Sequence, residues 1–462
     1  MTPEMEQKVL ASLYDRLWDA ITYSPGAGKS SAFDKQTSFV QFSKGEALRG
    51  EDFLNAAAPI NPGGDLNAAE TFSRMVDVVP LVQGDYAPSA TRLSQAYASI
   101  VQGANSNVKT NPDQQKIYNQ AYSYLNTTTK IKEFDGSETT QTGPSRIFNS
   151  YLANRDAYAN ALSGYRLAYS SYNLNDPKQQ REWQARSPAL QAALDRTWSV
   201  WRGEGATQVE RALAALDTTI NSAVRNVLEE ARQTIAQAAL TSNLGDGTKW
   251  YLSYALPSDW SGPGGAENLT AITLESSNLQ TESSSRFDSY SAGASWSAGL
   301  WSVGGESAGS FGSSSYHMSA DKLKLSAKLG LVRIYRPWLN DLIFRMNGWF
   351  VDNFDQNGIS NGQLKGNEHA ALPLIPTAFV IGRNIAIEAD FTTEDKTHVE
   401  KAISGSASVG WGPFRVSGSY SHSSSKDTFK STFDGGTLQI PGIQILGWVS
   451  EIVPASPPQK AP

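Results

Sequence analysis

The sequence predicts an α+β protein: an N-terminal helical bundle over 1–245, a mainly antiparallel, sandwich-like β domain over 246–453 with duplicated Ser/Gly-rich hairpins, and a Pro-rich extended tail over 454–462. Three observations predict it. In the first, Val209, Leu213, Leu216, Ile220, Val224, Val227, Ala231, Ile235 and Ala238 recur every three or four residues, as the roughly 3.6-residue turn of a straight α-helix requires. In the second, composition changes abruptly around SNLGDGTKW (242–250) and SGPGG (261–265), beyond which Ser, Gly and β-favouring residues replace Ala, Gln and Glu. The third is strict alternation of apolar and small polar residues in two segments of the second half, the mark of strands covered on one face.

Helical patterns cover about 4–22, 65–79, 88–103, 112–131, 147–172 and 176–201, with Pro, Gly or Asn between most of them. The apolar stripe then predicts one unbroken helix over 207–240, the spine of the bundle. Beyond the boundary, strands are expected at WYLSYAL, LTAITLES, LKLSAKLGLVRIYR, AFVIGRNIAIEADF and TLQIPGIQILGWVSEIV.

The alternating segments resemble copies of one another. SAGASWSAGLWSVGG (291–305) and SGSASVGWGPFRVSG (404–418) match at Ser291/Ser404, Ala294/Ala407, Ser295/Ser408, Gly299/Gly412, Val303/Val416 and Gly305/Gly418, and a Ser triplet follows each. From Tyr290 to Leu300 one parity holds Tyr290, Ala292, Ala294, Trp296, Ala298 and Leu300 against Ser and Gly on the other; Trp301 follows the turn. In the second copy Ile403, Val409 and Trp411 share a parity, and Phe414 and Val416 continue it on the return. Three explanations fit such a hairpin. It is half of a β-sandwich with its apolar face inward, or a strand pair that crosses a bilayer with apolar residues facing lipid and small polar ones facing a lumen, or an edge that pairs with another copy of the chain.

Composition narrows the functional classes. The balance of 39 Lys+Arg against 45 Asp+Glu leaves a formal charge of −6 with no basic cluster, so nucleic acid is not an expected partner. The absence of Cys excludes disulfides, thiolate metal sites and Cys nucleophiles. Glu4, Glu6, Asp15 and Asp19 stand where a signal peptide would be basic and apolar, so the expected location is cytoplasmic, or outside the cell by a non-classical route. No apolar run reaches the roughly 18 residues of a membrane-crossing helix, a length that a β-barrel does not need.

No motif adds a catalytic centre. SPGAGKSS (24–31) ends like a phosphate-binding loop but has Tyr23 where the first Gly belongs, and a helical pattern rather than a strand precedes it. The four histidines, His317, His369, His398 and His422, form no metal-binding pair. DNFDQNGISNG (352–362) lacks the terminal Glu of a calcium loop and reads as a turn. No nucleophile elbow is present, and no cofactor is expected.

RPW (336–338), LPLIPTAFVI (372–381), SVGWGPFRVSGSYSHSSS (408–425), QILGWVSEIVPASPP (444–458) and, in the helical half, DPKQQREWQARSP (176–188) resemble a conserved bacterial and fungal family of two-part proteins with no known activity. The resemblance implies the same two-part architecture and a cytosolic or non-classically released product. It brings no catalytic or binding residues.

The leading expectation is a non-enzymatic, membrane-active protein of the pore-forming kind whose partner is a lipid membrane. Its inserting hairpins would carry Tyr290, Trp296, Leu300, Trp301, Val303, Ile403, Val409, Trp411, Phe414 and Val416. The alternative is a self-assembling structural protein, a homo-oligomer joined by strands paired between subunits. A third reading is an enzyme or ligand-binding protein whose site is assembled from scattered residues.

Overall fold

The computed structural model describes residues 8–14, 17, 37–56, 59, 64–106, 112–132, 138–172, 176–203, 205–218, 223–242, 247–263, 265, 269–275, 301–304, 319–352, 354–393, 396–397, 399–400, 408–423 and 427–461. The first half begins with a helix, α1 (residues 8–14), then β1 (Ser38–Leu48), α2 (Leu66–Val76), α3 (Leu93–Gly103) and β2 (Ala104–Ser106). It continues with α4 (Pro112–Leu125), the hairpin β3 (Asn126–Lys132) and β4 (Glu138–Pro144), α5 (Arg146–Ser170), α6 (Pro177–Gly203), α7 (Ala206–Thr218) and α8 (Ala223–Gln237). Side-chain caps start two of these helices where the sequence places them: Asp65 accepts from the Asn67 and Ala68 amides of α2, and Ser145 accepts from the Phe148 amide of α5.

The second half is mainly strand. Short strands β5 (Ala239–Thr241), β6 (Lys249–Tyr251) and β7 (Tyr254–Leu256) precede β8 (Thr270–Glu275), β9 (Trp301–Gly304) and the long β10 (Ser319–Tyr335). After β11 (Trp349–Val351) come the long β12 (Leu374–Asp390), then β13 (Ser408–Trp411), β14 (Phe414–Ser419), β15 (Thr428–Lys430), β16 (Thr432–Asp434) and the long β17 (Thr437–Ile452). Four of the five strands expected from the sequence are present as single strands, while WYLSYAL is split between β6, paired with β5, and β7, paired with β10, and the fold is α+β with extensive antiparallel sheet.

The three long strands form the spine of a seven-stranded sheet ordered β1-β17-β12-β10-β7, with β16 beside β17 and β8 beside β10. Every pairing in it is antiparallel. The middle of β17, residues 443–450, is buried on both faces, and its run of apolar residues reflects that. One face packs Val332, Phe379, Ile381, Ile445 and Trp448 against α2 and Trp260. The other packs Val380, Ile385, Ile387, Leu325 and Leu446 against a smaller sheet, β15-β14-β13-β9, and against α1. Helices α3 to α8 build a third core with Trp338, Trp349, Ile375 and Val453.

Several expectations for the first half need correction. Residues 1–245 are not purely helical, because β1 is an integral strand of the main sheet, paired with β17 from Ser38↔Glu451 to Leu48↔Ile443. The expected helix 112–131 stops at Leu125 and turns into the Thr-rich hairpin β3–β4, as β-branched residues favour. The expected spine helix is described as two helices, with 219–222 outside the described residues. Helix α7 packs on α4 and α8 on α3, and the stripe residues Val209, Leu216, Val224, Val227, Ala231 and Ile235 are all buried. The boundary near 245 therefore marks a change of composition rather than of packing, since the helices share their core with residues from 338 to 453. Beyond β17 the chain runs along the 356–361 loop, where the Ile359 amide donates to the Ser456 carbonyl at 2.8 Å and Ser456 is buried.

Candidate functional site

The connections of the main sheet single out one of its ends. Strand β8 finishes at Glu275 opposite Lys324 near the start of β10, β12 finishes at Asp390 opposite Ser319, and β17 starts at Thr437 opposite Glu388. The chain from β8 to β10 and the chain from β12 to β17 thus leave and re-enter at the same end. Each joins neighbouring antiparallel strands, and each contains one copy of the alternating Ser/Gly-rich pattern. At this end β12 alternates buried Ile385, Ile387 and Ala389 with exposed Asn384, Glu388 and Asp390, so only one face of the sheet is covered.

The smaller sheet covers it. Among the sequence-predicted site residues, Trp301, Val409, Trp411, Phe414 and Val416 are each no more than 3 % exposed and belong to the core between the two sheets. Val303 lies in β9 opposite Val409 in β13. Tyr290, Trp296, Leu300 and Ile403 lie outside the described residues, as does SPGAGKSS. The two copies meet directly, because β9 from the first pairs antiparallel with β13 from the second, Trp301 opposite Trp411. Strands β13 and β14 turn through Gly412 and Pro413, and Gly412 has φ +55°, the positive value a two-residue hairpin asks of its first central residue.

Two elements of the first half hold this hairpin on the sheet. Helix α1 lies over its tip, where Leu10 and Leu13 side chains leave a Cβ at Gly412 only van der Waals contact, 3.4 Å from Leu13. The chain after the bulge in β1 follows β14. Gly45 has φ +55° and approaches Arg415 and Pro413 so closely that a Cβ would lie 2.6 Å from the Arg415 nitrogen. Gln444 of β17, fully buried, accepts from the Arg415 amide at 2.8 Å and donates to the Arg415 carbonyl at 2.5 Å. The Ser421 amide donates to the Ala47 carbonyl at 2.8 Å, Ser423 Oγ donates to Asp52 at 2.6 Å, His422 meets Glu46 at 3.2 Å and Arg49 meets Asp427 at 3.0 Å. The attachment thus rests on apolar burial supported by hydrogen bonds and polar contacts at its rim.

The free edge of β1 is itself covered. Gln41 Nε2 donates to the carbonyls of Leu81 at 2.9 Å and Gln83 at 2.8 Å, and the Tyr86 amide donates to Phe42 at 2.9 Å. A strand edge closed in this way does not offer itself to another chain.

At the opposite end of the sheet, a cleft of about 740 Å³ opens between the helices and the ends of the long strands. Glu230 of α8 and Glu451 of β17 face it. Tyr122 donates a hydrogen bond to Glu230, and Arg345 donates to Glu451 at 2.5 Å. Burial holds both carboxyls above the usual carboxylate range, and Arg345 offsets only part of that for Glu451. A carboxyl whose pKa is higher folded than unfolded contributes stability that is full below the unfolded value of about 4.3 and is lost as pH rises through the folded value. Glu230→Gln is therefore expected to melt higher than the wild type at pH 7 and no higher at pH 4. Thermal melts across that range check this, and an equal difference at both pH values would contradict it.

Among the described residues no three His, Asp or Glu side chains gather as metal ligands, and no helix is long and apolar enough to cross a membrane. No protein-family model, curated protein or solved structure matches the chain. Sequence reasoning missed Gln444 and the 45–52 segment; the signal for Gln444 was a lone amide inside the apolar run IQILGWV, which a buried position must satisfy by hydrogen bonding.

Proposed function

We propose that this is a non-enzymatic, membrane-active protein of the pore-forming kind that inserts amphipathic β-hairpins from one end of its main sheet. The observation that carries this is topological. The two Ser/Gly-rich copies sit in the two connections that join neighbouring antiparallel strands at the same end, β8 to β10 and β12 to β17. Continuing those strand pairs past Glu275, Ser319, Asp390 and Thr437 gives two hairpins, four strands, and of the main sheet's pairings breaks the short one between β16 and β17. Each connection runs to over 40 residues, more than the about 20 residues of two membrane-crossing strands. Their period-two pattern suits a barrel with lipid on one face and water on the other.

Burial of Val409, Trp411, Phe414 and Val416 supports the same reading of the folded chain. A hairpin destined for lipid needs its apolar face covered until it meets lipid, and α1 and the main sheet cover it. The smaller sheet then has two partners at different times, protein first and lipid second. Edge-to-edge assembly draws less support at the β1 edge of the main sheet, where residues 81–86 engage Gln41 and Phe42.

The test is release of an entrapped dye from vesicles of neutral, anionic and sterol-containing composition between pH 4.5 and 8, with size-exclusion chromatography alongside. The expected result is release, and oligomers only in the presence of lipid. Folded wild-type protein that releases no dye under any of these conditions overturns the proposal. Oligomers formed in plain buffer would favour pairing between chains instead.

A further inference from the structure

The long helices α5 and α6 form an antiparallel pair whose tip carries a cluster of aromatic rings. Trp183 of α6 is ringed by Tyr165 at 5.4 Å, Tyr169 at 5.3 Å and Tyr172 at 5.7 Å, with interplanar angles of 75°, 73° and 50°. Trp183 is almost buried, whereas Tyr169 is 38 % exposed. The direction of α5 fixes where this tip lies. Near its middle, Asp156 pairs with Arg333 at 2.6 Å, towards the cleft end of β10. Farther along, α5 packs on β8, and Leu167 joins the core containing Ile272 and Leu274. Its C-terminal end therefore points the same way as the end of β8, toward the end of the sheet where both Ser/Gly-rich connections begin.

Charge at the tip runs against the charge of the chain. Residues 165–187 present Lys178, Arg181 and Arg186 against a half-buried Asp176 and an exposed Glu182, with Arg166 buried, in a protein of net formal charge −6. Lys178, Arg181 and Arg186 are exposed. Arg186 reaches the Tyr172 hydroxyl at 3.5 Å and so stays beside the rings, while Arg181 Nε donates to the Pro177 carbonyl at 3.0 Å and stays on the first turn of α6. Tyr and Trp suit the headgroup layer because one part of each ring system is apolar and another hydrogen-bonds. Basic residues next to them are drawn to anionic lipid.

We propose that the tip of the α5–α6 pair is the surface by which the protein first docks on a bilayer rich in anionic headgroups. It rests on the membrane-active reading above and adds a receptor-free binding step that precedes insertion. Docking at this tip presents the end of the sheet from which hairpins would extend, so binding and orientation come from the same contact.

The experiment uses the full chain and flotation with vesicles of phosphatidylcholine alone or with one-third phosphatidylserine, with dye release read separately on the same samples. The wild type is expected to float with the anionic vesicles and to bind neutral ones far more weakly. A triple variant, Lys178→Ser, Arg181→Ser and Arg186→Ser, is expected to lose on the order of 100-fold in affinity for the anionic vesicles, and Tyr169→Ser a smaller factor, with melting curves showing both folded. Equal flotation of the wild type and the triple variant overturns the docking proposal even if dye is released. Equal binding of neutral and anionic vesicles by the wild type, or no binding to either, overturns it too. Charge-dependent flotation without dye release supports docking and counts against insertion alone.

Discussion

Trp411→Ala is expected to destabilise the folded chain by about 3–5 kcal/mol, the range for truncating a large buried aromatic. Trp411 is fully buried, stands opposite Trp301 and Phe414 in the strand register and is stacked on Phe414 with centroids 6.4 Å apart. Its loss opens a cavity between the two sheets at the point where α1 also closes over the hairpin. Trp411→Phe is expected to remain within about 1.5 kcal/mol of the wild type. The indole nitrogen of Trp411 has no hydrogen-bond partner among the described residues, so removing it also removes a buried donor that costs free energy. Urea unfolding followed by circular dichroism gives both numbers. If Trp411→Ala unfolds at the wild-type midpoint, the smaller sheet is not packed on the larger one.

Which parts of this architecture the sequence announces depends on whether the deciding force is local. Helices α2 and α5 are announced by the helical patterns over about 65–79 and 147–172, and the long strands by runs of β-favouring residues broken at Pro and Gly. Strand β1 is not announced. Gln41 and Glu46 interrupt its apolar pattern, and it is a strand because β17 offers an edge and the 81–86 segment satisfies Gln41. The turn from α4 into β3 has a local signal in the threonines 127–129 and 139–140, which the preceding helical pattern masks.

The hairpin shows the same limit from the functional side. Alternation in Ser408–Trp411 and Phe414–Ser419 identifies the apolar face, and the structure buries that face. Alternation is silent on what covers it, because a protein core and a lipid tail make the same demand on a side chain. For that reason Val409→Arg is a poor probe of insertion: at 1 % exposure an arginine there meets an unpaired, buried environment whether or not the hairpin ever leaves it. The cleft is hidden for another reason. Tyr122, Glu230, Arg345 and Glu451 meet only in space, and no spacing along the chain links them.

A covalent lock separates the two covers of the hairpin without disturbing its packing. The Ser421 amide and Ala47 carbonyl meet at 2.8 Å, which brings their Cα atoms into the range of about 4.4–6.8 Å that a disulfide spans. The chain has no cysteine of its own, so Ala47→Cys with Ser421→Cys creates a single pair. Asp52→Cys with Ser423→Cys is the second choice, since those side chains already meet at 2.6 Å. With the bond formed, the chain just beyond β14 is tied to the end of β1 and the 391–436 connection is held from extending. The oxidised protein is therefore expected to keep its affinity for anionic vesicles and to lose dye release entirely, and a reductant added to the same vesicles is expected to restore release within the assay. Disulfide formation is read by thiol titration and by the shift of the melting curve to higher temperature, as a closed loop of several hundred residues predicts. If the oxidised and reduced forms release dye at the same rate, the hairpin stays on the sheet throughout, and release must be carried by another part of the chain.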